Sequence, residues 1–290
     1  MKQIRIGIVG AESSHAGAIA DVINIKKWIK GFKVDYIWGE TKDAADKTAA
    51  NYCIPNIVEN PSQMMDKIDA VLIAHRDGKH HLKAAMPFIK AGIPAFIDKP
   101  LCCRLSEGKK FMDLCSKSNV PITSFSVLPL QVSFKKFLKK LPSAGKLLAA
   151  SIQGTCNVNG PYGGVYFLGP HLVEMALSAF GNNIEEVSLQ ENRGNGVCKF
   201  FYDDSLIVTL NCIPSGMNAY GITIIGDKKC SYEPIPFDSN WYITGIQTFT
   251  RMFKTGKMPY AYESLLKPVQ ILEALEKSLH SGKNEKLKTY

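Results

Sequence analysis

The sequence lacks the features that mark several classes of protein. It has no apolar run near the roughly 18 residues of a membrane span, and its first apolar run, Ile4–Val9, is interrupted by Arg5 and is too short for the core of a signal peptide. It has no internal repeat and no low-complexity segment. These absences argue against a membrane protein, a secreted protein and a repeat architecture. We therefore expect a cytoplasmic location.

The eight cysteines form no CxxC pair, and most of them lie inside apolar segments. Cys102 and Cys103 are adjacent, and a disulfide between them would be strained. The pattern predicts reduced thiols that pack in the core, as is usual in a reducing compartment.

The composition is that of an ordinary globular protein. Of the 290 residues, 46% are hydrophobic and 21% are charged, which excludes a disordered chain, a collagen-like repeat and a small disulfide scaffold. This length predicts about two domains. Lysine and arginine (35) exceed aspartate and glutamate (26) by nine, which favours anionic partners in general but does not indicate binding to a nucleic acid.

The first part of the chain alternates between strand-like and helix-like patterns. The predicted strands are Ile4–Val9, Lys33–Trp38, Asp69–Ala74 and Ile93–Ile97, and the predicted helices are Ala16–Ile29, Asp43–Tyr52 and Lys79–Ala91. This rhythm predicts an α/β domain with a doubly wound parallel sheet of the Rossmann type. Such a sheet binds ligands at the carboxyl ends of its strands, where the strand order reverses.

After Ser126 the strand-like segments follow one another with short turns between them. They are Glu185–Gln190, Val197–Tyr202, Leu206–Ile213 and Ile222–Ile225, and helices are predicted near residues 240–254 and 262–280. This order predicts an α+β domain with an open, mainly antiparallel sheet. We therefore expect a dinucleotide-binding domain at 1–125 and a second domain, for substrate binding and oligomerisation, at 126–290.

The turn after the first strand is the candidate phosphate-binding site, and it reads Gly10-Ala11-Glu12-Ser13-Ser14-His15. Only the first glycine of the GxGxxG pattern is present, so the motif alone does not decide between a binding turn and an ordinary loop. Glu12 would repel a pyrophosphate unless its side chain turns away. Ser13 and Ser14 are suited to cap the next helix and to donate hydrogen bonds to phosphate.

The second strand ends in Trp38-Gly39-Glu40, which places an acid where dinucleotide folds hold the adenosine ribose. A carboxylate there would disfavour the 2′-phosphate of NADP. Glu40 therefore favours NAD as the cofactor, although an acid in an exposed loop is also common.

Three motifs resemble those of the Gfo/Idh/MocA family of sugar and polyol dehydrogenases. The first runs from Asp69 through His75 and Ala91-Gly92 to Asp98-Lys99-Pro100. The second is Gly163 to Met175, which contains Gly169-Pro170-His171, and the third is Thr255-Gly256-Lys257-Met258-Pro259. The resemblance spans nearly the whole chain.

The resemblance implies a nicotinamide-binding Rossmann domain, a small-molecule substrate of the sugar or polyol class and a homodimer or homotetramer, without a nucleic-acid or membrane partner. It implies that Lys99 and His171 are catalytic residues that also bind substrate, together with Tyr162 and Tyr166. The implied cofactor contacts are Gly10, Ala11, Glu12, Ser13, Ser14, His15, Glu40, His75, Arg76, Asp77, His80 and Asp98.

Oxidation of a secondary alcohol requires a base at the hydroxyl proton and a donor or cation at the oxygen, and Lys99 and His171 are residues of these types. Pro170 at a helix start would place His171 in the first turn, where the helix dipole keeps the imidazole neutral. The family usually has an acid four residues before this histidine, and here that position is Phe167. We consider Glu174, Tyr162 and Tyr166 as replacements for the missing carboxylate.

Two questions remain open at this stage, which are the role of a histidine cluster and the type of function. The cluster of His75, Asp77, His80 and His81 contains metal-ligating types, but we favour cofactor contacts over a metal site. The leading functional prediction is an NAD-dependent oxidoreductase acting on CH–OH groups. The alternatives are a non-catalytic ligand-binding or regulatory protein on the same fold, and a lyase or hydrolase that uses tightly bound NAD without net redox change.

Overall fold

The computed structural model describes residues 3–215 and 220–288, and this part of the chain divides into two compact units. The first unit contains the chain up to Phe125 together with Tyr242–Leu266. The second contains Ser126–Trp241 and the chain from Lys267 onward. A simple division of the sequence at residue 125 therefore differs from the structure in one respect, because Tyr242–Leu266 packs with the first unit.

The first unit is built on a parallel sheet. Its strands are β1 (Ile4–Val9), β2 (Phe32–Trp38), β3 (Asn56–Ile57), β4 (Ala70–Ile73), β5 (Ala95–Ile97) and β6 (Ile122–Thr123). In the described part of the chain, the six strands lie in the order β3-β2-β1-β4-β5-β6, and every pair is parallel. The strand order reverses between β1 and β4, so that the predicted ligand-binding crevice lies at the carboxyl ends of these two strands.

Helices connect these strands. They are α1 (Ser14–Ala20), α2 (Lys42–Asn51), α3 (His81–Lys90) and α4 (Leu105–Ser118), with 3₁₀ turns at Pro61–Met64 and Gly78–His80. The prediction of one helix to Ile29 is wrong at its end, because α1 continues only as a π-helical turn, Asp21–Ile25. Lys27 and Gly31 have φ values of 54° and 85°, and these left-handed residues turn the chain into β2.

The second unit is built on a mixed sheet that is mostly antiparallel. Its strands are β7 (Leu147–Thr155), β8 (Ile184–Asn192), β9 (Asn195–Tyr202), β10 (Ile207–Ile213), β11 (Gly221–Gly226), β12 (Cys230–Pro234) and β13 (Glu285–Lys286). Among the described residues their order is β12-β11-β7-β10-β9-β8-β13, and β7 and β10 form the parallel pair. The unit also contains α5 (Val132–Lys140), α6 (Val165–Phe180) and 3₁₀ turns at Leu128–Leu130 and Leu141–Ala144.

The last two helices are α7 (Ile243–Thr255) and α8 (Tyr262–Ser281). Helix α7 belongs to the first unit, where the ring of Phe249 stacks on Phe96 of β5 with centroids 4.5 Å apart. No helix in residues 3–215 or 220–288 combines the length and the apolar character needed to cross a membrane. The alternating α/β pattern and the predicted fold class are thus confirmed.

Candidate functional site

The turn after β1 brings the chain against the end of β4. Gly10 has a φ of 113°, and a Cβ built at this position would lie 2.6 Å from the backbone nitrogen of His75 and 2.7 Å from the carbonyl carbon of Ala74. Strands β1 and β4 pair here through Val9 and Ile73. Gly10 is therefore required by the close approach of two backbones at the point where the strand order reverses.

The rest of this turn is ordered by its own side chains. Ser13 is the N-cap of α1, and its hydroxyl accepts a hydrogen bond from the backbone of His15. Ala11 is buried and its N–H donates to Trp38, whereas Ser14 is exposed. The predicted capping role of Ser13 is present in the structure.

Glu12 points toward the end of β2. Its Oε1 accepts a hydrogen bond of 2.8 Å from the backbone N–H of Thr41, the N-cap of α2. Its Oε2 is buried and has no hydrogen-bond partner in the described part of the chain. Glu40, in contrast, is exposed. Of the two acids near the end of β2, Glu12 is therefore the one that the fold holds in place.

His75 follows β4 and is 6% exposed. Its ring lies beside Trp38 and His80, with centroid distances of 5.8 and 5.9 Å, and no described residue bonds to its buried Nδ1. Burial, followed by the neighbouring charges of His81 and His80, lowers the pKa of His75 to about 4. The ring is consequently neutral at pH 7, with one buried nitrogen available to a ligand.

His81, which the sequence did not single out as a site residue, connects two strand ends. It is fully buried, with Nδ1 2.7 Å from the carbonyl oxygen of Pro100 and Nε2 2.9 Å from that of His75. Burial lowers the pKa of this imidazole. His81 thereby joins the segment after β4 to the segment after β5.

The other residues of this loop lie toward solvent. Arg76 and His80 are exposed. Asp77 caps the 3₁₀ turn by accepting a hydrogen bond from the Lys79 backbone, and its carboxylate lies 2.8 Å from the Lys79 ammonium group. In the described part of the chain, no group of three His, Cys, Asp or Glu side chains has the geometry to hold a metal ion.

Asp98, Lys99 and Pro100 follow β5 directly. Asp98 is 5% exposed, and its carboxylate lies 2.7 Å from Nδ1 of His15 and accepts a 2.8 Å bond from the Lys99 backbone. Burial acts to raise the pKa of Asp98, but the charge and the hydrogen bond of His15 and the charge of Lys99 outweigh it, and the net direction is downward. Asp98 is therefore a buried carboxylate.

Lys99 itself is 6% exposed, which is unusual for a lysine, and it precedes a cis peptide bond to Pro100. The negative charge of Asp98 next to it compensates part of the cost of burying an ammonium group. The loops after β1, β4 and β5 thus bring together Gly10, Glu12, His15, His75, Asp98 and Lys99.

In the second unit, His171 lies in α6 but not in its first turn. The helix begins at Val165 and contains Pro170 in its interior, so the prediction that Pro170 starts the helix is wrong. The helix dipole therefore does not account for the state of this imidazole.

Ser126 contacts the His171 ring through its hydroxyl. Its hydroxyl lies 2.7 Å from Nδ1 of His171 and accepts a 3.1 Å hydrogen bond from the Leu128 backbone. Glu174 accepts a 2.7 Å bond from the Ser126 backbone N–H. Glu174, which the sequence suggested as a partner of His171, is linked to it through Ser126, whose hydroxyl contacts His171 and whose backbone N–H donates to Glu174.

The two tyrosines proposed for substrate binding have different surroundings. Tyr166 is 2% exposed, and its hydroxyl donates to Glu276 at 3.1 Å. Tyr162 is half-buried, has a φ of 64°, and its ring lies 5.1 Å from that of Phe167. Phe167, at the position of the expected acid, therefore packs in an aromatic pair.

Comparisons with known proteins agree with this architecture. Residues 4–125 match the Gfo/Idh/MocA family model, described as an oxidoreductase family with an NAD-binding Rossmann fold. A comparison with curated protein sequences gives no match.

Several solved structures share the fold. GenD2 from gentamicin A biosynthesis, solved with NAD, is 14% identical with a TM-score of 0.87, and the match covers 100% of this chain and 97% of that chain. Myo-inositol 2-dehydrogenase from Lactobacillus plantarum is 16% identical with a TM-score of 0.86, covering 99% and 100%. Scyllo-inositol dehydrogenase from Lactobacillus casei, solved with NAD(H) and scyllo-inositol, is 15% identical with a TM-score of 0.83, covering 98% and 99%. Residues 4–125 thus match an oxidoreductase family model with an NAD-binding Rossmann fold, and the solved structures share the fold of the chain over nearly its whole length.

Proposed function

We propose that this protein is an NAD-dependent dehydrogenase that oxidises a secondary alcohol of a sugar, a polyol or a related compound. The observation that carries the proposal is the buried Lys99 at the carboxyl end of β5, next to the buried carboxylate of Asp98. A buried lysine at the ligand-binding edge of a Rossmann sheet is suited to hold or to move a proton.

The residues at this edge fit the dinucleotide. The Gly10 turn keeps the ends of β1 and β4 close, and two buried polar atoms, Glu12 Oε2 and His75 Nδ1, have no hydrogen-bond partner among the described residues. Hydroxyl groups of a bound dinucleotide would satisfy both atoms. When bound, the nicotinamide supplies the hydride acceptor.

The chain's own residues would then handle the proton. Lys99 is proposed to bind the substrate hydroxyl and, in its neutral amine form after its ammonium group has released a proton, to accept the hydroxyl proton as the carbonyl forms. His15 fixes Asp98, and Asp98 in turn accepts a bond from the Lys99 backbone, so that this acid positions the lysine. In the second unit we propose His171 as the other residue that acts on the substrate, as the family resemblance implies.

The substrate class is proposed from the relatives. Two of the similar structures are inositol dehydrogenases, and one of these was solved with scyllo-inositol. Inositols and related cyclic polyols present secondary hydroxyl groups only, which matches the proposed chemistry. They are therefore the first compounds to test.

The carboxylates near the end of β2 lead to a prediction about the cofactor. We expect NAD(H) to bind at least about tenfold more tightly than NADP(H), because Glu12 and Glu40 would repel a 2′-phosphate. Glu12→Gln should narrow this preference more than Glu40→Gln, since the Glu12 carboxylate is bonded to Thr41 whereas Glu40 is exposed. Titration followed by nicotinamide fluorescence and by thermal stabilisation measures both affinities.

Equal or tighter binding of NADP(H) would contradict the role of these acids. If titration shows binding of neither cofactor at millimolar concentration, the dehydrogenase proposal is excluded, and a non-catalytic binding protein is favoured instead.

We also propose that the protein is a homo-oligomer that associates through the open face of the second sheet. Val208, Leu210 and Cys212 of β10 are buried on one face. The opposite face exposes apolar side chains, which are Val197, Ile207, Ile213 and Ile225. A surface of this kind is typical of an interface between protein chains.

Light scattering is expected to give the mass of a dimer or a tetramer. Ile207→Lys should lower this mass, whereas Ile57→Lys should not, because Ile57 has nearly the same exposure (43% against 42%) but lies on β3 of the first unit. A monomeric wild-type protein would contradict the proposal.

The free state of the cysteines supports the proposed cytoplasmic location.

A further inference from the structure

The hydroxyl of Ser126 has a defined set of hydrogen bonds. Ser126 is 1% exposed, so water does not compete for its side chain. The backbone N–H of Leu128 donates to Oγ at 3.1 Å, and Nδ1 of His171 lies 2.7 Å from the same oxygen. A hydroxyl carries one proton to donate, and among the described residues the acceptor within its reach is Nδ1 of His171.

The direction of this bond fixes the state of the imidazole. When Ser126 donates to Nδ1, that nitrogen presents its lone pair, and the proton of the neutral ring must be on Nε2. If Nδ1 instead carried the ring proton and donated to Oγ, two donors would meet at Oγ. The hydroxyl proton would then be buried without an acceptor, which typically costs about 1–3 kcal/mol.

Glu174 holds the serine in this position. Its carboxylate accepts a 2.7 Å bond from the Ser126 backbone N–H, and it lies three residues after His171 on α6. Helix α6 therefore carries both the imidazole that accepts the hydrogen bond of the serine hydroxyl and the acid that anchors the serine backbone.

We infer that Ser126 is a positioning residue that keeps neutral His171 in the tautomer protonated on Nε2. A carboxylate next to Nδ1 would accept a hydrogen bond from that nitrogen, keep the ring proton on Nδ1 and leave the lone pair of Nε2 as a base. The position expected to supply such an acid is Phe167. The group next to Nδ1 is instead the serine hydroxyl, which donates a hydrogen bond where a carboxylate would accept one. Building on the proposed function, His171 donates a hydrogen bond to the substrate oxygen, and acceptance of the hydroxyl proton is left to Lys99.

The tautomer can be measured without cofactor or substrate. Histidine labelled with ¹⁵N is observed in long-range ¹H–¹⁵N correlation spectra at about pH 9, well above the ordinary histidine pKa of about 6.5. The His171 signals are assigned by their loss in His171→Gln. We expect Nε2 to be protonated in the wild-type protein and in Ser126→Thr, which keeps the hydroxyl. Protonation of Nδ1 in the wild-type protein would overturn the inference.

Two variants test whether the side chain at position 126 sets the tautomer of His171. Ser126→Asp places an acceptor next to Nδ1 and should move the proton to Nδ1, whereas Ser143→Ala, at an exposed serine of the same unit, should change nothing. If Ser126→Asp does not fold, Ser126→Ala serves instead and should give a mixture of tautomers. An unchanged tautomer in whichever variant folds would also overturn the inference.

Activity provides a separate readout. Ser126→Ala should lower kcat about 10- to 100-fold with little change in KM, and Ser126→Thr should restore most of the activity. An unchanged kcat in Ser126→Ala would refute the positioning role. Because the spectra need no turnover, absence of dehydrogenase activity together with the expected tautomer would contradict the proposed function and leave the Ser126 assignment intact.

Discussion

Replacement of Lys99 by methionine is expected to lower kcat about 100- to 10,000-fold, the usual contribution of a positioned acid or base. Methionine keeps most of the buried side-chain volume but cannot hold a proton, so the change removes chemistry more than packing. Asp98 keeps its 2.7 Å contact with His15, and therefore the turn after β5 should retain its structure. Affinity for NAD should change only a few-fold, since Lys99 is not one of the proposed cofactor contacts.

Lys90→Met is the matched control, because Lys90 is an exposed lysine at the end of α3 in the same unit. It should behave like the wild-type protein in both assays. Wild-type turnover in Lys99→Met, measured on a substrate that the wild-type protein oxidises, would refute the assignment of Lys99 as the base.

Substitution of Gly10 by alanine should lower the free energy of unfolding by about 3 kcal/mol or more, the upper range for an overpacked site. The new Cβ would meet the backbone of Ala74 and His75 at 2.6–2.9 Å, and backbone atoms of a buried strand end cannot yield as a flexible side chain does. NAD affinity should fall as well, because the displaced residue is His75. Urea denaturation followed by tryptophan fluorescence measures the change in the free energy of unfolding.

Gly92→Ala separates the clash from backbone strain. Gly92 also has a positive φ, 77°, but a Cβ there would meet no atom within 4 Å. Its substitution should cost only about 1–2 kcal/mol, the penalty of a left-handed conformation. Equal destabilisation by the two substitutions would show that the approach of β1 to β4 does not determine the residue at position 10.

The alternating α/β part of the chain could be predicted because each strand is short, apolar and bounded by a turn. The segments 69–74 and 93–97 correspond to β4 and β5, whose residues are all buried. Periodicity also placed Lys99 directly after a strand. Strand ends carry the ligand site in this kind of sheet, so the local pattern placed Lys99 near that site, whereas its catalytic role was implied by the family resemblance.

Contacts between distant segments were not predictable in the same way. Ser126 meets His171 across 45 residues of sequence, and His81 reaches Pro100 across 19. Ser126 stands in no recognisable motif, and His81 was considered from the sequence only as a candidate metal ligand, because a single serine or histidine gives no periodic signal of a distant partner. The packing of Tyr242–Leu266 with the first unit is likewise a long-range event. The misplaced start of α6 has a local cause, since a proline marks a helix start more often than a helix interior.

The central claim is that this protein transfers hydride between NAD and a secondary alcohol. The direct measurement is the absorbance of reduced nicotinamide when the wild-type protein is mixed with NAD⁺ and a panel of inositols, sugars and other polyols, with Lys99→Met in parallel. Our account predicts a rise in absorbance with at least one compound, slowed at least about 100-fold in the variant. Conversion of a compound without any net change in the nicotinamide, or NAD⁺ reduction that proceeds equally in both proteins, would contradict it.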